Sequence, residues 1–153
     1  MRMFSQTTEY ALRAMVVLAS NPPDSTKSSE VMAQQTKVPR HYLSKILRDL
    51  SNAKLVIAQR GPSGGFQLSR SPDRISILDV VNAVDPLARI HECPLGNPMH
   101  VNLCPLHRRL DDAMHLVEQT LAGSSLAQLR DSDSQSGQSC GSLCQKILPP
   151  STD

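Results

Sequence analysis

The stretch VPRHYLSKILRDLSNAKL (residues 38–55), running directly into VIAQRGPSGGFQL (56–68), decides how this chain folds. In its first part Leu43, Ile46, Leu47 and Leu50 fall at i, i+3, i+4 and i+7, the apolar stripe of an inward-packing helix. Arg40, His41, Ser44, Lys45 and Arg48 are left on the outer face. Pro39 suits a first helical position, where its missing N–H costs nothing. In the second part Val56, Ile57, Ala58, Gln59 and Arg60 read as a strand, and Phe66, Gln67 and Leu68 resume it after the turn Gly61-Pro62-Ser63-Gly64-Gly65. An isolated helix of this kind is usually a solvated surface helix. A basic helix followed at once by a glycine hairpin is instead the layout of a winged helix-turn-helix.

The hairpin adds chemistry of its own. Its glycines supply positive φ and let the backbone approach a sugar-phosphate strand, with Arg60 at the base in reach of a minor groove or phosphate and Ser63 at the tip. A nucleotide-cradling loop is a poor alternative, because no lysine with Ser or Thr follows the glycines and no helix pattern opens there.

Upstream, Ser28 is placed to cap a short helix, Ser29 to Thr36, which a tight turn at Lys37-Val38 joins to the basic one. Before it, Thr7 to Ser20 carries Ala11, Leu12, Met15, Val16, Leu18 and Ala19 on a broad apolar face and stops at Asn21-Pro22-Pro23. Its apolar core, residues 14 to 19, is too short for a membrane span or a secretory segment. Downstream, Ser76 and Asp79 form a capping-box-like start to a helix bearing Ile77, Val80, Val81 and Val84, which ends at Asp85-Pro86. Pro105 to Leu121 reads as a longer helix with Leu106, Leu110, Ala113, Val117 and Leu121 near heptad spacing. Such a seam is either core or a dimer interface. From Asp131 onward the chain is rich in Ser, Gly, Gln and Pro, the composition of a disordered tail.

Charge divides the chain in the same way. Residues 1–75 hold 11 Lys/Arg against 5 Asp/Glu, and residues 76–153 hold 5 against 9. The first part suits a polyanion and the second does not. With two Tyr, two Phe and no Trp, the chain has no rings to spare for stacking single-stranded bases, so duplex DNA is the expected partner.

Four segments together resemble a known family: MRMFSQTTEYALRAMVVLA (1–19), the RGPSGGF wing (60–66), the ILDVVNAVD helix (77–85), and a loop with Cys93, Cys104 and His107 ahead of a long helix. In this order and spacing, over residues 1 to 130, they resemble the Rrf2 family of winged-helix regulators, the IscR and NsrR kind. The resemblance implies a homodimeric transcription factor with paired recognition helices and long helices crossing at the dimer interface. It often implies an iron-sulfur cluster in the loop as well.

That loop, HECPLGNPMHVNLCPLH (91–107), departs from the family's commonest pattern of three cysteines, for none lies between Cys93 and Cys104. Spacing alone leaves iron-sulfur, zinc or two plain thiols open. By the resemblance, Glu9 stands where some members place an acid that reaches the partner subunit's cluster, and His107 matches a histidine ligand of others. His100 lies near the missing cysteine. A two-iron two-sulfur (2Fe-2S) cluster held by Cys93, Cys104, Glu9 and His107 is the assignment this implies. Cys140 and Cys144, in the tail, suit a disulfide, a substitute ligand, a separate metal or idle thiols.

The expected fold is therefore mainly α with a small β-hairpin wing: a winged helix-turn-helix domain over 1–85, a sensor loop over 86–104, a dimerisation helix region over 105–130 and a disordered tail over 131–153. The expected function is a cytoplasmic, homodimeric DNA-binding transcriptional regulator, a repressor, controlled by the cluster through a redox, nitric oxide or iron signal. The alternative is a cluster-free regulator of the same fold that senses thiol oxidation or a partner. A metal-cluster carrier would need neither the basic helix nor the wing, and no nucleophile-base pairing points to an enzyme.

Overall fold

The structure, a computed structural model, describes residues 4–22, 24–92 and 103–136. Cys93, His100, Cys140, Cys144 and residues 137–153 lie outside the described residues. The elements run α1 (Gln6–Ala19), α2 (Ser29–Thr36), α3 (Arg40–Asn52), β1 (Val56–Gln59), β2 (Gly65–Leu68), a 3₁₀ turn (Pro72–Arg74), α4 (Ile77–Val84), α5 (Pro105–Ala122) and α6 (Leu126–Ser136).

Local signals account for the helix starts. Ser5 accepts from the Thr8 N–H at the head of α1, and Ser28 accepts from Val31 N–H at the head of α2. At α4 the capping box is complete: Asp79 N–H donates to Ser76 Oγ and Ser76 N–H donates to the Asp79 carboxylate, each at 3.0 Å. Pro39 is the N-cap of α3 rather than its first helical residue, a shift of one position from the expectation. Between α2 and α3, Lys37 turns the chain in the left-handed region at φ 56°. The buried Thr36 braces that turn, donating to Met32 O at 2.7 Å and accepting from Val38 N–H at 3.3 Å.

The core gathers the stripes of four helices. Leu43, Ile46, Leu47 and Leu50 of α3 are buried as expected, against Ala11, Ala14, Met15, Leu18 and Ala19 of α1, Met32 of α2 and Val80 of α4. Each large aliphatic side chain removed from water here contributes about 1.5–3 kcal/mol. On α1 the buried face is rotated slightly from the expected one: Ala14 joins it, while Leu12 and Val16 are only half-buried.

Two strands pair antiparallel in the register Val56↔Leu68, Ile57↔Gln67, Ala58↔Phe66 and Gln59↔Gly65. A third segment joins them, because Lys27 and Phe66 exchange backbone hydrogen bonds at 2.9 and 2.8 Å. One expectation about the C-terminal part needs correction: residues 131–136 continue α6 and are not tail. That helix returns to the head: Leu126 is fully buried, its N–H donates to Ile75 O at 3.0 Å, and Ile77 N–H donates to Ser124 O at 2.8 Å. The core thus draws on residues beyond the expected boundary at 85, since Leu126 joins the buried cluster that holds Ile75.

Candidate nucleic-acid interface and sensor loop

Arg40, His41, Ser44, Lys45 and Arg48 are all exposed along α3, each opposite the buried stripe. Ser44 Oγ donates to Arg40 O at 2.9 Å, which leaves its lone pairs for a donor from outside. The expectation missed a row of side chains linking α1 to this face. His41 packs against Tyr42 with ring centroids 4.4 Å apart and the planes tilted by 43°, Tyr42 meets Tyr10 edge-on at 6.2 Å, and Arg13 lies over the Tyr10 ring at 5.8 Å. Tyr42 is half exposed at 50%. Its place beside His41, with Tyr10 and Arg13 three residues apart on α1, is the signal that was available.

In the wing, Arg60 and Ser63 are exposed. The two glycines assigned to a DNA approach have an intramolecular reason to be glycine. A Cβ on Gly64 would lie 2.5 Å from Gln59 O and 2.8 Å from Gly61 O, and one on Gly65 would lie 2.5 Å from Lys27 O. Gly64 closes the turn, with its N–H donating to Gly61 O at 2.9 Å, and Gly65 admits the third segment. Thr26 Oγ1 fastens the tip by donating to Ser63 O at 2.8 Å.

Elsewhere, Cys104 is the N-cap of α5 and His107 sits one turn in, with Sγ and Nδ1 3.1 Å apart. Both are half-buried. The structure therefore brings together these two of the four expected ligands. Glu9 lies half-buried in the first turn of α1. Among the described residues no three His, Cys, Asp or Glu side chains gather as a metal site, so within one chain Glu9 does not join the Cys104–His107 pair. A thiol beside an imidazole is the kind of donor set that iron and zinc both accept.

The face of α5 carries none of the core. No side chain of α5 is fully buried, and Leu106, Leu110 and Leu116 are 63%, 48% and 65% exposed. Among the described residues no helix is long and apolar enough to cross a membrane.

A basic second helix in a helix-turn-helix, a hairpin wing and a long helix with an exposed leucine face define a winged-helix regulator. The family comparison agrees: the model of the Rrf2 family, described as iron-dependent transcriptional regulator, matches residues 4–132, and the chain belongs to that family. A protein of Aquifex aeolicus (strain VF5), named as an HTH-type transcriptional regulator, is 30% identical over 130 residues, covering 82% of this chain and 90% of that one. Among solved structures, CymR (YrzC), the global cysteine regulator of B. subtilis, is similar with a TM-score of 0.72 and 26% identity, covering 86% of this chain and 98% of that one. T. potens IscR shares the fold with a TM-score of 0.73 at 21% identity, covering 88% and 91%.

Proposed function

We propose that this transcriptional regulator acts in the cytoplasm as a homodimeric repressor, with α3 of each subunit in a major groove and Arg60 and Ser63 of the wing on the flanking backbone. The observation that carries the reading is the exposed row Arg40, His41, Ser44, Lys45 and Arg48 on a helix whose opposite stripe is buried. A two-fold operator requires two heads, and the seam of α5, with Leu106, Leu110 and Ala113 exposed and Val117 half-buried, is the face that joins them.

We further propose that DNA binding is controlled by a two-iron two-sulfur cluster. Cys104 and His107 fit as two of its ligands by donor chemistry and by their contact. Cys93 supplies the second thiolate, and Glu9 acts from the partner subunit, which accords with its separation from Cys104–His107 within one chain. When bound, the cluster supplies a centre that oxidants, nitric oxide and iron supply can alter. The pair at the head of α5 passes such a change to the dimer seam along one rigid helix.

A second reading has its own support. The loop over 91–107 holds two cysteines and not three, and a similar structure is that of a global cysteine regulator. In that reading Cys93 and Cys104 respond to thiol oxidation or to a partner, with no cluster.

Anaerobic purification with iron and sulfide analysis separates the two. The cluster reading expects visible absorption that Cys93→Ala and Cys104→Ala each abolish, while Glu9→Ala and His107→Ala retain a labile, spectrally shifted cluster. Replacing Cys140 and Cys144 with Ser should leave the absorption unchanged. Iron absent from every preparation of the parent protein would hand the role to thiol oxidation. For the DNA face, Arg40→Ala and Lys45→Ala should each weaken binding and lower the slope of log affinity against log salt by about one per lost phosphate contact.

A further inference from the structure

Arg89, on the chain that leaves α4, is tied to α5 by a fork of hydrogen bonds. Its Nε donates to Asp111 Oδ1 at 2.7 Å and its Nη2 donates to Asp111 Oδ2 at 2.6 Å. Nη1 donates to Glu118 Oε2 at 3.3 Å and lies 2.8 Å from His115 Nδ1. The backbone is held as well, since Ile90 N–H donates to Asp111 Oδ1 at 2.9 Å. Asp111, His115 and Glu118 stand at i, i+4 and i+7, one face of α5 built to receive this arginine.

Burial separates this contact from the other ion pairs. The Arg89 and Asp111 side chains are 26% and 16% exposed, against 41% and 42% for Arg70–Asp79. Exposed pairs contribute little, whereas a bidentate, largely covered pair fixes geometry. The hydrogen bonds from Arg89 hold the Asp111 carboxyl far below the usual carboxylate range, helped by the Ile90 N–H. A depressed carboxyl contributes its stability above its unfolded pKa and loses it only as pH falls through the folded one. The contact therefore persists at every pH from mild acid upward.

Its position gives it leverage. The far end of α5 is pinned to the head by Ile77 N–H on Ser124 O and by the buried Leu126. At its near end the connection from α4, itself tied by Leu87 N–H on Asn82 Oδ1 at 3.2 Å, meets α5 at Asp111. Asp111 lies about one helical turn, ~6 Å, beyond His107. A rod held at two points keeps its angle, and a rod held at one pivots.

We propose that Arg89 is the positioning residue of this regulator: it clamps the chain leaving the head onto Asp111 and Glu118 of α5, and so sets the angle of α5 against the head and the point from which the connection sets out toward Cys104 and His107. The link to Cys104 and His107 rests on the sensor reading above; the angle of α5 does not.

The test uses the full chain, with Arg89→Ala and Arg89→Lys. Amide hydrogen exchange is followed at Ile90 and along α3, affinity is measured for a duplex selected by the parent protein from a random library, and iron retention is followed against a chelator after anaerobic preparation. Arg89→Ala should speed exchange at Ile90 by about tenfold, leave the α3 amides at their parental rates and weaken DNA binding about fivefold. Arg89→Lys keeps the charge without the fork, so it should fall between the two, and it serves if the alanine variant does not fold. Parental exchange at Ile90 in the variant overturns the proposal, and so does parental DNA affinity. Should the parent hold no iron, the cluster reading fails while exchange and DNA affinity still decide the role of Arg89. If the parent holds iron and Arg89→Ala loses it no faster, the reach to Cys104 and His107 is overturned.

Discussion

Gly65 and Arg60, five residues apart in one hairpin, separate two meanings of a wing residue. A Cβ at Gly65 collides with the Lys27 carbonyl, so Gly65→Ala should push the third segment off the wing and cost about 1–3 kcal/mol in urea denaturation, with DNA affinity falling as a consequence. Arg60 is exposed, and Arg60→Ala should leave stability within about 0.5 kcal/mol of the parent while lowering DNA affinity and the salt slope. Were Gly65→Ala to unfold like the parent and bind DNA less well, the glycine would be a direct contact after all. Sequence could mark both residues as special, but glycine in a turn looks the same whether it makes room for a ligand or for its own chain. The row of Arg13, Tyr10, Tyr42 and His41 was hidden for a related reason, since it joins residues of two helices that only packing brings side by side.

Elements fare better, because their causes are local. The α3 stripe, the Ser28 cap and the Ser76–Asp79 box are periodicities and side-chain to backbone bonds spanning a turn or two, and all three stand where residue order placed them. Ser76→Ala should cost about 1 kcal/mol, read as a lower midpoint in thermal or urea unfolding, because the Asp79 N–H loses its partner at the helix start while the backbone N–H of residue 76 keeps the Asp79 carboxylate. The role of the α5 seam is a matter of what covers it. Leu106 and Leu110 are exposed in the single chain, so Leu110→Glu should leave the helix and the head folded while driving the protein to monomers in sedimentation and weakening operator binding. A stable dimer of that variant would place the interface on another face.

At the scale of the whole molecule the decisive feature is the return of α6. Leu126 is fully buried in the core that α1, α3 and α4 build, which makes the head and the long helix a continuous structure. Leu126→Ala should cost about 2–4 kcal/mol by cavity formation and, unlike a cavity in an independent arm, should lower the unfolding midpoint of the head itself. Two separate transitions in the parent protein, with only the weaker one moved by this substitution, would count against that continuity. Assembly belongs to this scale too: Glu9 and the Cys104–His107 pair are apart within one chain, and a ligand set joining them requires two.

Residue order alone determined the winged helix-turn-helix, the basic outer face of α3, the caps and the candidate donors Cys104 and His107, because each depends on a period or a spacing of a few positions. Tertiary structure decided the rest: that Gly64 and Gly65 make room for the wing itself, that Leu126 completes the head, and that Arg89 grips α5. These are contacts between residues far apart in the chain. Their energy comes from burial and close approach, which no local pattern records.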